Sequence, residues 1–223
     1  MKKLLILASI IFLFSSVYSQ DKKVNLKKNF GIQINVFSDI WMDAPDDIDL
    51  KTINRGCDIY GMYNFPIKES NFSFAIGFGL GIHNMYSNAS VGINPDNDST
   101  IFNVIPDSIT YKKSKISCAY FDIPIEFRFK TKGKFSVAAG FKAGYLINKH
   151  SKYKGKDLLG TNIDVIEKST DIRNLEAIRF GPTFRLGYDW FNLSAYYSLS
   201  KFFAKDKGPE MYPISVGITL TPF

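Results

Sequence analysis

Seven ionisable residues, Asp58, Asp122, Glu126, Arg128, Lys142, Arg179 and Arg185, fall within runs where large apolar side chains alternate with small or polar ones, always on the small or polar side. Such alternation turns the two sets to opposite faces of a strand. Three acids and four bases gathered on one face can neutralise one another as a salt-bridged cluster, line a polar conduit, or supply proton-transfer groups. Proton transfer would need a histidine-centred constellation. The chain has two histidines, His83 and His150, and neither stands in an Asp-x-His or His-x-Ser pairing. The expectation is therefore no catalytic residue and no enzyme. Cys57 and Cys118 lie far apart without metal-ligand spacing, and "NPDNDST" (94–100) does not match a calcium-loop pattern, so neither a metal site nor a cofactor is expected.

The elements that must position these groups are strands. "FSFAIGFGLGIH" (72–83) sets Phe72, Phe74, Ile76, Phe78, Leu80 and Ile82 against Ser73, Ala75, Gly77, Gly79 and Gly81. In a soluble sandwich the second face would carry water-facing charge. Glycines suit a crowded, narrow interior instead. Runs of the same period fall at about 29–40, 56–65, 72–85, 115–130, 134–148, 177–189, 192–202 and 211–221. Most reach the roughly 9–11 residues with which a tilted strand crosses a bilayer.

Short connections, "PIKESN", "TKG" and "DWFN", alternate with long ones at about 41–55, 86–114, 149–176 and 203–210. That asymmetry is the mark of a membrane barrel with short periplasmic turns. Phe65, Phe72, Phe129, Phe135, Trp190 and Phe191 flank the short turns, while Trp41, Tyr86, Tyr145, Phe202 and Tyr212 gather near the long loops. Two aromatic girdles are expected at the two interfaces of a membrane. A soluble ligand-binding barrel would invert the faces, but the face opposite the aromatics carries too little charge for a wet exterior. The expected fold is all-β: an eight-stranded antiparallel transmembrane β-barrel of up-and-down topology, with short periplasmic turns, long extracellular loops and both termini in the periplasm.

Residues 1–19 read as a secretory signal peptide: Lys2 and Lys3, the apolar run Leu4–Phe14, then Val17-Tyr18-Ser19 at the cleavage site. Residues 20–223 form the expected barrel domain. Loss of the two lysines lowers the formal charge of +7 by two. Despite the remaining basic balance, a secretory route argues against nucleic acid as partner.

The interior of an eight-stranded barrel is just wide enough to be filled by side chains. A three-residue turn at Thr131-Lys132-Gly133, with Gly133 left-handed, would set Lys130 against Lys134 and Asp122 opposite Lys142. Phe65 facing Phe72 would set Tyr60 across from Gly77, the ring covering the space that glycine leaves. Outside the barrel, "KHSKYKGK" reads as a loop presenting Lys149, Lys152, Lys154 and Lys156, either to solvent or to lipopolysaccharide phosphates.

"YFDIPIEFRF", followed by a short turn and "FSVAAGFKAGYLI", and the closing "YPISVGITLTPF" resemble the PorT-like outer-membrane β-barrel families of Gram-negative bacteria, over essentially the whole mature chain. The resemblance implies the outer membrane as location and the barrel-insertion machinery as partner, with Phe223 as terminal insertion signal. Ile214, Val216, Ile218 and Leu220 lie in the opposite phase to Phe223, with Pro222 between. The expected role is a non-enzymatic scaffold, adhesion surface or accessory subunit of an envelope protein complex, in contact with outer-membrane lipid. The alternatives are a narrow porin-like solute channel and, behind it, a lipid-modifying enzyme.

Overall fold

A computed structural model describes residues 29–68, 70–159 and 161–221. The expected signal peptide and Phe223 lie outside these residues. Eight strands close a barrel: β1 (Phe30–Met42), β2 (Arg55–Pro66), β3 (Phe72–Tyr86), β6 (Tyr111–Lys130), β7 (Phe135–Lys156), β9 (Ile178–Tyr188), β10 (Phe191–Tyr197) and β11 (Tyr212–Leu220). Their order around the wall is β1-β2-β3-β6-β7-β9-β10-β11, with β11 pairing back onto β1 and every pair antiparallel. Consecutive wall strands are neighbours, so the topology is up-and-down.

The apolar members of the alternation face outward. Phe72, Phe74, Ile76, Phe78, Leu80 and Ile82 on β3 are all exposed, as are Phe121, Ile123, Ile125 and Phe127 on β6. From Phe72 to Ile82 a strand covers about 33 Å, or about 25 Å of membrane thickness at a tilt of about 40°. That matches the apolar band of an outer-membrane barrel. Among the described residues no helix is long and apolar enough to cross a membrane, so the strands do it.

The expected turn at Thr131-Lys132-Gly133 is displaced one residue along the chain, to Lys132-Gly133-Lys134 between Thr131 and Phe135. Lys134, not Gly133, takes the left-handed conformation (φ 69°), the Lys134 amide donates to the Thr131 carbonyl, and Lys130 pairs with Ser136. The β2–β3 ladder is likewise displaced by two, so that Phe65 faces Phe74 and Tyr60 faces Gly79. A shift of two keeps each side chain on its face while changing its cross-strand partner.

The long connections carry structure of their own. β4 (Ala89–Asn94) and β5 (Ser99–Val104) form a separate hairpin, and β8 (Asp164–Ser169) pairs with the outer end of β7. β7 runs on through "KHSKYKGK", so the segment expected as a loop is strand. The long-loop end is closed by a packed apolar cap in which Trp41 of β1 and Met85 of β3 meet Ile116, Cys118 and Tyr120 of β6 and Ile172, Phe202, Phe203 and Met211 from the connections. Trp41 and Phe202 meet edge to face at 4.7 Å inside this cap, not in the outer aromatic girdle expected for them. Trp41 falls there because it shares the inward parity of Asp39 on β1.

Candidate functional site

The inward faces bring Asp58, Asp122, Glu126, Lys142, Arg179 and Arg185 into the lumen, all buried, with Arg128 partly open near the short-turn end. Pairing is across the lumen more than along the ladder. Asp122 lies opposite Gly144 on β7, and its carboxylate instead receives the Arg179 guanidinium at 2.7 and 3.3 Å and the Tyr60 hydroxyl at 3.0 Å. The expected Asp122–Lys142 pair does not form, because the displaced turn moves Lys142 opposite Pro124. Lys142 Nζ instead reaches Asp58 Oδ2 at 3.2 Å and the Tyr60 hydroxyl at 3.3 Å.

Nearer the short turns, Glu126 accepts from Arg185 at 2.7 Å and from Arg128 at 2.7 Å, with Gln33 beside them. Nearer the cap, Asp39 accepts the Ser215 hydroxyl at 2.6 Å and lies 2.8 Å from His83 Nδ1. His83 Nε2 stands 3.7 Å from Asp58 Oδ1, too long for a hydrogen bond. Asp39 was not among the expected lumen charges, although the alternation of β1 places it on the same face as Gln33 and Asn35. With it, the lumen holds four carboxylates, Asp39, Asp58, Asp122 and Glu126, and four cationic side chains, Arg128, Lys142, Arg179 and Arg185.

Aromatic rings complete the filling. Arg179 stacks 3.9 Å from the Tyr120 centroid, and Lys142 lies 4.2 Å from that of Tyr196. The glycines of β3 make room for these groups. A Cβ at Gly79 would strike the Tyr60 ring, and one at Gly81 would lie 2.5 Å from Asp58 and 2.7 Å from Asp122. Two cavities in the lumen measure about 40 Å³, lined by Asn35, Asp58, Tyr60 and Lys142, and about 20 Å³, beside His83 and Ser198. Each holds a few water molecules at most. A wider recess of about 410 Å³ opens at the short-turn end, around Arg128, Asn64 and Asn192.

An outward apolar band about as tall as a bilayer core, a charge-neutral lumen and one end with short turns are now joined by a match over most of the chain. The family model described as "Outer membrane protein beta-barrel domain" covers residues 14–204. The chain belongs to this family. It is an integral outer-membrane β-barrel protein. No curated protein and no solved structure matches it.

The remaining expected residues divide by position. Phe72, Phe135, Trp190 and Phe191 are exposed around the short turns, with Phe65 and Phe129 half-buried among them. Phe72 stacks at 5.4 Å on Phe127 and lies 4.9 Å from Phe129. Lys149 shares the inward face of its partner Cys118, Lys152 and Lys154 stand on the outward face, and Lys156 is paired with Asp164 at 3.2 Å. Cys57 on β2 is exposed and Cys118 on β6 is buried, with β3 between them. Among the described residues no group of three His, Cys, Asp or Glu side chains is placed to hold a metal ion.

Proposed function

We propose that this outer-membrane barrel is a PorT-like, non-enzymatic accessory subunit of an envelope assembly, working through its ends and its outer wall and not through its lumen. The observation that carries the reading is the filled interior. Four bases are paired with three acids within it, Glu126 taking two of them, Asp39 lies against His83, the two cavities beside them are of water size, and an apolar cap lies over its outer end. A porin-like channel would need a continuous water path through the same region. An enzyme would need a histidine at the rim set against a carboxylate or hydroxyl, whereas His83, 2.8 Å from Asp39, is buried under the cap and His150 is crowded by Lys115, Lys152 and Lys168.

The ordered outer surface supports the same reading. The β4–β5 hairpin is tied to neighbouring connections by the Thr100 amide donating to the Lys207 carbonyl at 2.8 Å and the Thr100 hydroxyl donating to the Arg173 carbonyl at 2.9 Å. A surface held in one shape is suited to recognising a partner at low ordering cost. The test is affinity capture of the full chain from its native outer membrane in mild detergent, with mass spectrometry of what comes with it. A stoichiometric envelope partner that is lost when the β4–β5 hairpin is deleted supports the reading. Repeated recovery of the barrel alone contradicts it.

A further inference from the structure

Three lysines stand side by side across three strands on the outer wall. Lys168 on β8 is the register partner of Lys152 on β7, and Lys152 is the partner of Lys115 on β6. One step along, Lys113 faces Lys154 in the same way. Like charges directly opposite on neighbouring strands are destabilising. None of these five lysines is in an ion pair among the described residues.

Parity fixes the face. Lys113 and Lys115 share the side of β6 that carries Phe121, Ile123 and Ile125, and their alternate neighbours Ser114 and Ile116 are buried. The row is therefore the upward continuation of the lipid-facing surface. It begins about 13 Å along the strand beyond Ala119 and Ile82, less along the membrane normal once tilt is included. That is headgroup depth in the outer leaflet. Tyr86 closes the row on β3, with Lys115 and Lys113 at 5.6 and 5.9 Å from its ring, and Lys115 Nζ donates to Asn84 Oδ1 at 2.6 Å. The five lysines thus occupy adjoining register positions on the outward face, turned away from the lumen.

We propose that Lys113, Lys115, Lys152, Lys154 and Lys168 form a binding row for the phosphate groups of an outer-leaflet phosphorylated glycolipid, lipopolysaccharide in an outer membrane. Several ammonium groups side by side on one face match clustered phosphates, and the ligand relieves the repulsion that the strand register imposes. Burial, and then Lys113, Lys152 and Lys168, already hold the Lys115 ammonium below its usual range. Lys149, facing inward, and Lys156, held by Asp164, are outside the row. The inference rests on the outer-membrane location and is independent of the accessory-subunit reading.

The test uses the full chain purified in nonionic detergent and titrated with phosphorylated lipopolysaccharide, with the same lipopolysaccharide after enzymatic dephosphorylation, and with inorganic phosphate. The proposal expects the phosphorylated form to bind, dephosphorylation to weaken binding by at least about tenfold, and the triple variant Lys115→Gln, Lys152→Gln, Lys168→Gln to do the same. Lys132→Gln, in the opposite turn, should leave binding unchanged. Where the triple variant folds poorly, Lys113→Gln with Lys154→Gln is the second probe. Equal binding of the dephosphorylated form, or undiminished binding by both sets of folded variants, overturns the proposal. Saturation by inorganic phosphate at the affinity of the lipid form overturns the glycolipid as occupant and assigns the row to a soluble phosphate.

Discussion

Arg179 of β9 and Asp122 of β6 meet across the lumen at 2.7 Å, although the strand ladder places Asp122 beside Gly144 of the intervening β7. Gly144 is what permits it, since a Cβ there would collide with the Asp122 carboxylate and lie 3.1 Å from Arg179. The pair thus reaches over a strand that has no side chain in the way. It joins the middle of the lumen to the cap, because the same guanidinium stacks on Tyr120.

Breaking that pair from one side should cost far more than removing it. Arg179→Met leaves the Asp122 carboxylate buried without its cation and is expected to destabilise the barrel by about 3–5 kcal/mol. Arg179→Met combined with Asp122→Asn should recover much of the loss. Urea unfolding in detergent micelles, followed by tryptophan fluorescence, measures both. Equal destabilisation by the single and double variants would contradict the pairing.

The glycines of the barrel separate into those that face packed groups and those that do not. Gly81→Val places a side chain against Asp58, Asp122 and Arg179 and should lower stability by several kcal/mol or prevent folding. Gly133→Ala meets only Thr131 Oγ1 at 3.7 Å and should be within about 0.5 kcal/mol of the parent. The difference in mobility between heated and unheated gel samples shows which variants fold.

The inward cluster was legible in the sequence while its pairings were not, and the reason is geometric. Period-two alternation reports the face of each residue, and an error of two in register leaves that face unchanged, as with Tyr60 against Gly79 in place of Gly77. Partners such as Lys142 and Asp58 sit on strands that are not neighbours, so no ladder count could join them. Asp39 carried the same parity signal as Gln33 and Asn35 and could have been found. The extension of β7 through Lys149–Lys156 was hidden because outside the membrane neither face needs to be apolar, so the alternation fades. The cap was hidden for another reason. Phe202, Phe203 and Met211 come from connections whose return into the barrel end is a tertiary event.

His150 offers a pH test of the lysine row without lipid. It stands on the outward face between the apolar band and Lys152, and partial burial, then Lys168, Lys115 and Lys152, push its imidazole below the ordinary value of 6.5. A base whose folded value is lowered adds nothing to stability while it is neutral in both states. It subtracts stability as pH falls through the unfolded value toward the folded one, where the unfolded chain binds the proton more readily. The wild-type barrel should therefore lose more stability between pH 7.5 and pH 5.5 than His150→Gln does. Identical losses in urea unfolding at the two pH values would contradict the crowding of positive charge at this site.

In the opposite turns, Lys134 donates to Asp189 at 2.8 Å, and that hydrogen bond raises the Lys134 ammonium above its usual range. The contribution is present below the ordinary lysine value and is lost as pH rises through the raised one. Both groups are exposed, so Asp189→Asn should change the unfolding midpoint little at pH 7, and salt should reduce even that. The Asp189 amide donates to the Lys134 carbonyl at 2.9 Å, so the two turns should stay docked in the variant. Exchange of the amide at position 189 in the variant as fast as that of a free loop would contradict this.

Conductance tests most directly whether the lumen is filled. Full-length protein, shown to be folded, is inserted into a planar bilayer in 1 M salt and held at up to 100 mV of either sign. The paired charges and the apolar cap predict a flat baseline without discrete openings. Reproducible unitary steps, abolished when the same preparation is unfolded, would show a continuous water path past Asp122 and Arg179 and contradict the account.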